Sequence, residues 1–154
     1  MEINKTLTDL KKKLEYYCSY QDRCHQEIHE KLRSFLISEE EKNTLIVHLI
    51  QENYLNEERF ARSFARGKHR IKFWGNSRII NELKQRQISQ PNIKLALQEI
   101  SKEEYLDTFT TISEKHWTSI LEKNPLKKRK KFCDYLLRKG WESNLVYEKM
   151  KALE

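Results

Sequence analysis

Apolar residues recur along the chain with the period of an α-helix. Within residues 39–52, four of them take the i, i+1, i+4, i+5 spacing of one buried helix face: Leu45, Ile46, Leu49 and Ile50. Ser38 with Glu41 has the spacing of a capping box, which predicts where this helix begins, and Asn53 predicts a left-handed residue where it ends. No segment shows the alternation of a strand, so the fold class predicted is all-α.

Further helix boundaries follow from the same local chemistry. Asn56 is followed by Glu57 and Glu58, whose carboxylates suit the positive end of a helix dipole. Ser101 with Glu104 predicts another helix start. The main breaks are predicted at Gly75, Asn124–Pro125 and Gly140.

A pattern of three apolar residues followed by a new helix recurs at intervals of 51 and 53 residues. Its three copies are Ile28, Leu32, Ile37 with Ser38; Ile79, Leu83, Ile88 with Ser89; and Phe132, Leu136, Trp141 with Glu142. With one helix before each anchor, the chain divides into three three-helix units at 1–54, 55–101 and 102–154. Units this small cannot be stable alone, so neighbours must pack into an elongated, curved array.

Composition narrows the fold class further. Three Gly and two Pro among 154 residues are too few for a turn-rich sandwich or barrel. Charged residues make up 34% and apolar residues only 38%, which favours several small helical cores over one deep core. No apolar run approaches the ~20 residues that span a bilayer. With no secretory apolar stretch and an odd number of cysteines, three, we expect a cytoplasmic, monomeric protein without disulfides and without a membrane partner.

The net charge of +7 is concentrated in two basic islands and favours an anionic partner. Residues 56–88 carry nine Lys and Arg against three Glu, and four arginines there are spaced along one helix face: Arg59, Arg62, Arg66 and Arg70. Arginine at all four positions favours planar contacts to phosphate or carboxylate. Phe60, Phe64 and Ile71 form a separate stripe predicted to face the core. Lys68, Lys72 and Arg78 extend the island around Phe73 and Trp74.

The second island, residues 126–140, carries seven basic residues against Asp134. It comprises Lys127, Lys128, Arg129, Lys130 and Lys131 at a predicted helix start, with Arg138 and Lys139 at its end. Basic charge at a helix start opposes the helix dipole, which points to a functional reason for the cluster. Both islands are candidate partner-binding surfaces. Phe73 and Trp74 have the chemistry to stack on bases, although a hinge or core role is the preferred interpretation.

The stretch from Glu52 to Ala61, Glu-Asn-Tyr-Leu-Asn-Glu-Glu-Arg-Phe-Ala, resembles the signature of the RecX family of recombinase regulators. Three further segments are similar to that family's pattern: Tyr17 to Leu32 with Asp22-Arg23, Gly75 to Ser89 with Arg78-Ile79 and Glu82-Leu83, and Gly140-Trp141. The resemblance covers roughly residues 15–153. In this chain Leu36 and Gln87 stand where the family favours a helix-stopping Gly, and Cys24 replaces a capping Ser.

The resemblance implies a non-enzymatic modulator without a cofactor. RecX-like proteins bind the RecA recombinase filament on single-stranded DNA and inhibit its ATPase and strand exchange, so the filament is the expected partner and single-stranded DNA a further candidate. An elongated basic helical protein suits a filament groove, with its cations facing acidic protein surface or DNA phosphate. The alternative is a general nucleic-acid-binding helical protein without a recombinase partner.

Other chemistry is weaker in this sequence. No phosphate-binding Gly loop, nucleophile elbow or paired zinc motif is present, so enzyme activity is not expected. Cys18, Cys24, His25 and His29 are a candidate zinc set, but their spacing is not that of a zinc knuckle, and buried thiols with exposed imidazoles are the preferred interpretation. Residues 76–100 have helix-turn-helix spacing, yet the second helix, residues 90–100, carries Lys94 as its only base, which favours structural packing.

Overall fold

The structure, a computed structural model, describes residues 2–154, with side chains from Leu7 onward. Over these residues the chain forms nine α-helices and no strand: α1 Glu2–Tyr20, α2 His25–Leu32, α3 Glu39–Gln51, α4 Glu57–Lys72, α5 Asn76–Gln85, α6 Gln90–Leu97, α7 Lys102–Ser119, α8 Pro125–Arg138 and α9 Ser143–Leu153. The predicted all-α class is confirmed.

The nine helices form three tandem three-helix repeats, each with its own apolar core. We call α1–α3 the first repeat, α4–α6 the second and α7–α9 the third. Leu14, Ile28 and Leu49 are fully buried in the first core. In the second core, Ile79 and Leu83 are at most 1% exposed. The third core is built around Phe132, Leu136, Trp141 and Val146. Every helix pair with extensive backbone contact in the described chain lies within one repeat.

The helices begin where capping side chains satisfy the first free amides. Ser38 Oγ accepts from Glu41 N at 3.1 Å while Glu41 Oε1 accepts from Ser38 N, also at 3.1 Å, so the predicted capping box is present. Asn56 Oδ1 accepts from Arg59 N at 3.0 Å, and Ser101 Oγ accepts from Glu104 N at 3.1 Å. These local signals explain why the predicted helix starts match the observed ones.

The helix ends follow the prediction in part. Asn53 has φ 60° and ends α3 as predicted, and Gln87, which stands where the family favours Gly, also has φ 60°. Leu36, the other residue that stands where the family favours Gly, does not take a left-handed conformation, so that helix end closes without left-handed strain. An unexpected left-handed residue, Phe73 with φ 60°, ends α4. Its N–H donates to the His69 carbonyl at 3.1 Å, which fixes the turn.

Two apolar residues assigned to buried faces are instead exposed. Ile50 is 45% exposed, and Ile71, on the stripe with Phe60, is 73% exposed. Ile71 lies in the last turn of α4, two residues before the left-handed Phe73 that ends the helix. Periodicity predicts the direction of a side chain but not whether another element covers it, which is why these two assignments fail.

Some residues at the boundaries between repeats pack in the core of the neighbouring repeat. Cys24, at the start of α2, is buried in the second core beside Phe60 and Ala61. Leu55 packs in the first core, and Ile100 packs in the third. Each repeat therefore completes its core with residues from the adjacent segment, as expected for units too small to be stable alone.

Candidate functional site

The start of α5 is capped by the third repeat. Gly75, at the N-cap, has no side chain that could accept a hydrogen bond from the first turn. Instead, Gly75 N donates to the Lys139 carbonyl at 2.9 Å, and Ser77 N donates to the Gly140 carbonyl at 3.0 Å. Between them, Asn76 N donates to the Tyr105 hydroxyl at 2.9 Å. Three amides that a helix leaves free are thus satisfied across the joint between the second and third repeats.

Two glycines allow this close backbone contact. A Cβ on Gly75 would lie 2.4 Å from the Gly140 carbonyl oxygen, and a Cβ on Gly140 would lie 2.4 Å from Arg78 Cβ. Gly140 also has φ +96°, a conformation that L side chains rarely adopt. The joint therefore requires glycine on both sides.

An aromatic cluster fills the joint behind the two glycines. His69 is fully buried, and its Nδ1 lies 3.0 Å from the Trp74 carbonyl oxygen. Its ring stacks on Tyr105, with centroids 5.5 Å apart, and lies edge-on to Trp141 at 5.8 Å. The Trp141 indole N–H donates to the Phe73 carbonyl at 3.2 Å. Burial raises the pKa of Tyr105, whose hydroxyl donates to the Glu142 carboxylate at 2.7 Å.

The four arginines spaced along α4 do not form a free cationic face. Each is paired with a carboxylate of the same chain: Arg59 with Asp22 at 2.8 Å, Arg62 with Glu99 at 3.2 Å, Arg66 with Glu99 at 2.9 Å, and Arg70 with Glu104 at 3.0 Å. In the free chain this face is therefore neutralised by internal carboxylates, and contact of the four arginines with a partner stays a prediction. The hydrogen bond from the Arg70 guanidinium lowers the pKa of the Glu104 carboxyl. These arginines hold α4 against the first repeat, the α6–α7 connection and the first turn of α7.

Part of the second island is also neutralised within the chain. Lys130 pairs with Asp134 at 2.8 Å, Lys131 with Glu122 at 3.3 Å, and Arg129 with Glu154. The Asp134 carboxylate raises the pKa of Lys130. Lys128 instead lies 4.2 Å from the centre of the Trp117 ring. Lys127 and Lys128 thus have no carboxylate partner within the described chain.

Five other cations of the two islands lie at the joint between the second and third repeats. We define the junction surface as Lys68, Lys72, Trp74, Arg78, Arg138 and Lys139. Lys139 Nζ donates to the Lys72 carbonyl at 3.0 Å, and Arg78 donates through Nη1 to the Arg138 carbonyl at 3.2 Å. Within the described residues, none of its five cations contacts a carboxylate. Burial, and then the charges of Arg78 and Lys72, lower the pKa of Lys139.

Trp74 is the aromatic centre of the junction surface. The Arg78 guanidinium carbon lies 4.2 Å from the Trp74 ring centre, and Lys68 Nζ lies 5.0 Å from it. The ring is half-buried against the second core, while Phe73 is 44% exposed at the end of α4. This agrees with the preferred core and hinge interpretation, since Trp74 packs inside and the Phe73 backbone turns the chain.

The sequence identified the basic residues but did not show which of them lie together in the structure. Of the thirteen predicted contact residues, seven are paired with carboxylates and six are not: Lys68, Lys72, Arg78, Lys127, Lys128 and Arg138. Lys139 also belongs to the junction surface but was not among the predicted contact residues. Its position next to Arg138 in the second island could have indicated it. Nothing in the local pattern indicated that residues 68–78 and 138–139 lie side by side.

The candidate zinc set is not brought together. Cys18 is buried in the first core and Cys24 in the second, and burial raises the pKa of both thiols to about 11. Within the described residues, no group of three or more His, Cys, Asp or Glu side chains converges on a point that would hold a metal ion. None of the helices described is both long and apolar enough to cross a membrane.

Fold and site together define an all-helical tandem-repeat protein whose second and third repeats are firmly joined at a cationic, aromatic surface. Residues 56–97 match the model of the second three-helix domain of RecX, and residues 103–150 match that of its third. The chain belongs to the RecX family of regulatory proteins.

Curated relatives agree with this assignment. Regulatory protein RecX of Bacillus cytotoxicus is 29% identical over 130 residues, which are 84% of this chain and 48% of the relative. Regulatory protein RecX of Lactobacillus gasseri is 36% identical over 91 residues, 59% of this chain and 34% of the relative. The chain therefore spans about half the length, or less, of these curated relatives.

The solved structures show the fold. A crystal structure of RecX from Lactobacillus salivarius superposes with a TM-score of 0.80 at 23% identity and covers 97% of both chains. A second crystal structure, of a regulatory protein RecX, gives a TM-score of 0.81 at 23% identity and covers 95% of this chain and 73% of that one.

Proposed function

We propose that this chain is a non-catalytic, cytoplasmic regulator that binds the RecA recombinase filament on single-stranded DNA and inhibits ATP hydrolysis and strand exchange. Family membership supports a regulatory role, since its relatives are named regulatory proteins. The observation that carries the proposed contact is the junction surface, where five cations from two distant segments meet without a carboxylate partner in the described chain.

Electrostatics favours an anionic target for this surface. Lys139 is partly desolvated beside Lys72 and Arg78, so an incoming carboxylate or phosphate would relieve the repulsion between them. The joint is rigid, because backbone hydrogen bonds, two glycines and a buried aromatic cluster fix it. Because the backbone that carries these cations is already ordered, binding a partner orders only their side chains.

Lys127 and Lys128 are a second proposed contact, at the other end of α8. A helix of 14 residues is ~20 Å long, so the two cation groups would reach separate points on an extended partner. The paired arginines of α4 contribute to this interface mainly by positioning Lys68 and Lys72. Direct contact by Arg59, Arg62, Arg66 or Arg70 would first require exchange of an internal carboxylate.

The test is ATP hydrolysis by RecA-coated single-stranded DNA during titration with the chain. We expect inhibition at stoichiometric protein, and the variant Lys72→Glu/Arg138→Glu should need about tenfold more protein. Both side chains are exposed and neither makes a hydrogen bond or an ion pair with another described residue, so the fold should be unaffected. The matched control, Lys94→Glu/Lys151→Glu, has the same change in net charge on exposed residues away from the joint.

Two results would reject the proposal. The first is no effect of the unmodified chain on ATP hydrolysis. The second is equal inhibition by the junction variant and the control variant, which would place the contact elsewhere. The alternative of a general nucleic-acid binder predicts equal affinity for naked DNA and for the filament, with a steep dependence on salt.

A further inference from the structure

The first repeat carries two exposed aromatic rings that the proposed function does not use. Tyr16 and Tyr20 lie one turn apart on α1 and are 71% and 73% exposed. Their ring centres are 6.5 Å apart, and the ring planes are inclined by 32°. Both rings are therefore largely accessible to a ligand.

Cations surround the two rings. A depression of about 470 Å³ is lined by Lys12, Lys13, Tyr16, Tyr17, Tyr20, Arg23 and Lys31, with no acidic side chain among them. The Arg23 guanidinium carbon lies 3.7 Å from the Tyr17 ring centre, and Lys31 Nζ lies 5.1 Å from it. We call these seven residues the tyrosine patch.

Part of the patch is fixed and part is free. Arg23 is held by the Tyr17 carbonyl at 3.1 Å and by Glu27 at 3.2 Å, so Tyr17 and Arg23 form a fixed wall. Lys12 and Lys13 are exposed and have no carboxylate partner within the described chain. The patch thus offers flat apolar faces and mobile positive charge together.

A ligand that suits both features is anionic and has exposed flat rings. Single-stranded nucleic acid meets both conditions, because its bases are unpaired and each carries a phosphate. A duplex keeps its base faces stacked inside, and an acidic peptide supplies charge without rings. The ring centres are 6.5 Å apart, about the distance spanned by two base steps of ~3.4 Å, so one short stretch of strand can reach both rings.

We propose that the tyrosine patch binds single-stranded nucleic acid, with unpaired bases stacked on Tyr16 and Tyr20 and phosphates held by Lys12, Lys13 and Lys31. The site lies in the first repeat, outside residues 56–97 and 103–150 that match the family models. It goes beyond the proposed function, because it requires no recombinase and shares no residue with the junction surface.

The experiment measures binding of a labelled oligonucleotide of about 15 thymidines by fluorescence anisotropy at about 100 mM salt. Tyr16→Leu/Tyr20→Leu should weaken binding at least fivefold, because each lost base–ring stack has about that effect or more. Tyr16→Phe/Tyr20→Phe keeps the rings and should bind within about twofold of the unmodified chain. Tyr147→Leu, at a tyrosine 46% exposed on α9, is the matched control and should have no effect.

A second ligand tests the stacking itself. An abasic oligomer keeps the phosphates but has no bases, so the unmodified chain and the leucine variant should bind it equally weakly. Equal affinity of these two proteins for oligothymidine would overturn the proposal, as would the absence of binding by the unmodified chain. Circular dichroism of each variant checks that the helices are intact.

The junction variant separates this proposal from the proposed function. Lys72→Glu/Arg138→Glu should retain affinity for oligothymidine while losing inhibition of the filament. Loss of oligothymidine binding in this variant, with none in Tyr16→Leu/Tyr20→Leu, would place the nucleic acid at the junction surface and reject the tyrosine patch. If the junction variant loses filament inhibition and the unmodified chain does not bind oligothymidine at all, the tyrosine patch is rejected and the proposed function is not.

Discussion

Gly140 combines two requirements that no other residue type meets. Its φ of +96° disfavours any L side chain, and its Cα lies against the backbone of Arg78. The same residue offers the carbonyl that accepts from Ser77 N at the start of α5. A glycine that follows the last turn of α8 therefore determines how the third repeat meets the second.

Gly140→Ala should destabilise the fold by about 2 kcal/mol or more, because it adds left-handed strain and forces the joint apart. Gly67→Ala is the control: a Cβ there meets nothing within 4 Å, and α4 should gain up to about 1 kcal/mol. Urea unfolding of the two variants measures both changes. A stable Gly140→Ala variant with the native midpoint would contradict the account of the joint.

At the scale of single helices, α4 presents two chemically different faces. One face carries Arg59, Arg62, Arg66 and Arg70, each paired with a carboxylate of another segment. The other carries Phe64, Lys68 and Lys72, in which the two lysines have no carboxylate partner within the described chain. One helix thereby both holds the repeats together and contributes to the junction surface.

Arg62→Ala/Arg66→Ala should reduce the free energy of unfolding by about 1 kcal/mol, since Glu99, whose side chain is 21% exposed, loses both partners. Adding Glu99→Gln should restore part of this loss, because the unpaired carboxylate is then removed. Inhibition of the filament should change little. A large loss of inhibition at unchanged stability would instead assign these arginines to the partner contact.

At the scale of the whole molecule, consecutive repeats are joined unequally. The first and second repeats share Cys24, the pair Arg59–Asp22, and a hydrogen bond from His25 N to Glu57 at 3.2 Å. The second and third repeats share backbone hydrogen bonds, a glycine contact and the aromatic cluster around Trp141. We expect the second and third repeats to unfold as one unit.

Trp141→Ala should remove about 3–5 kcal/mol of stability and lower amide hydrogen-exchange protection in both the second and third repeats. Leu49→Ala, at a fully buried residue of the first core, should lower protection chiefly in the first repeat. Exchange followed by mass spectrometry assigns each effect to its segment. Protection lost only in the third repeat of the Trp141 variant would show that the joint does not couple the two.

The sequence by itself determined the helices, most of their ends and the threefold repeat. Caps such as Ser38 with Glu41, and stops such as Asn53, act over a few residues, so their effect can be deduced from neighbours in the chain. The repeat could be found because each unit buries the same apolar positions, among them Ile28, Ile79 and Phe132. Even here the pattern could not show that Ile71 would stay exposed.

Only the tertiary structure decided which charges are available to a partner. The carboxylates that pair with the α4 arginines lie 33 to 37 residues away, at Asp22, Glu99 and Glu104. Lys72 and Lys139 are 67 residues apart in the chain, yet Lys139 Nζ donates to the Lys72 carbonyl. Charge pairing depends on distance in space, and that distance is set by how the repeats pack, which no local pattern of residues encodes.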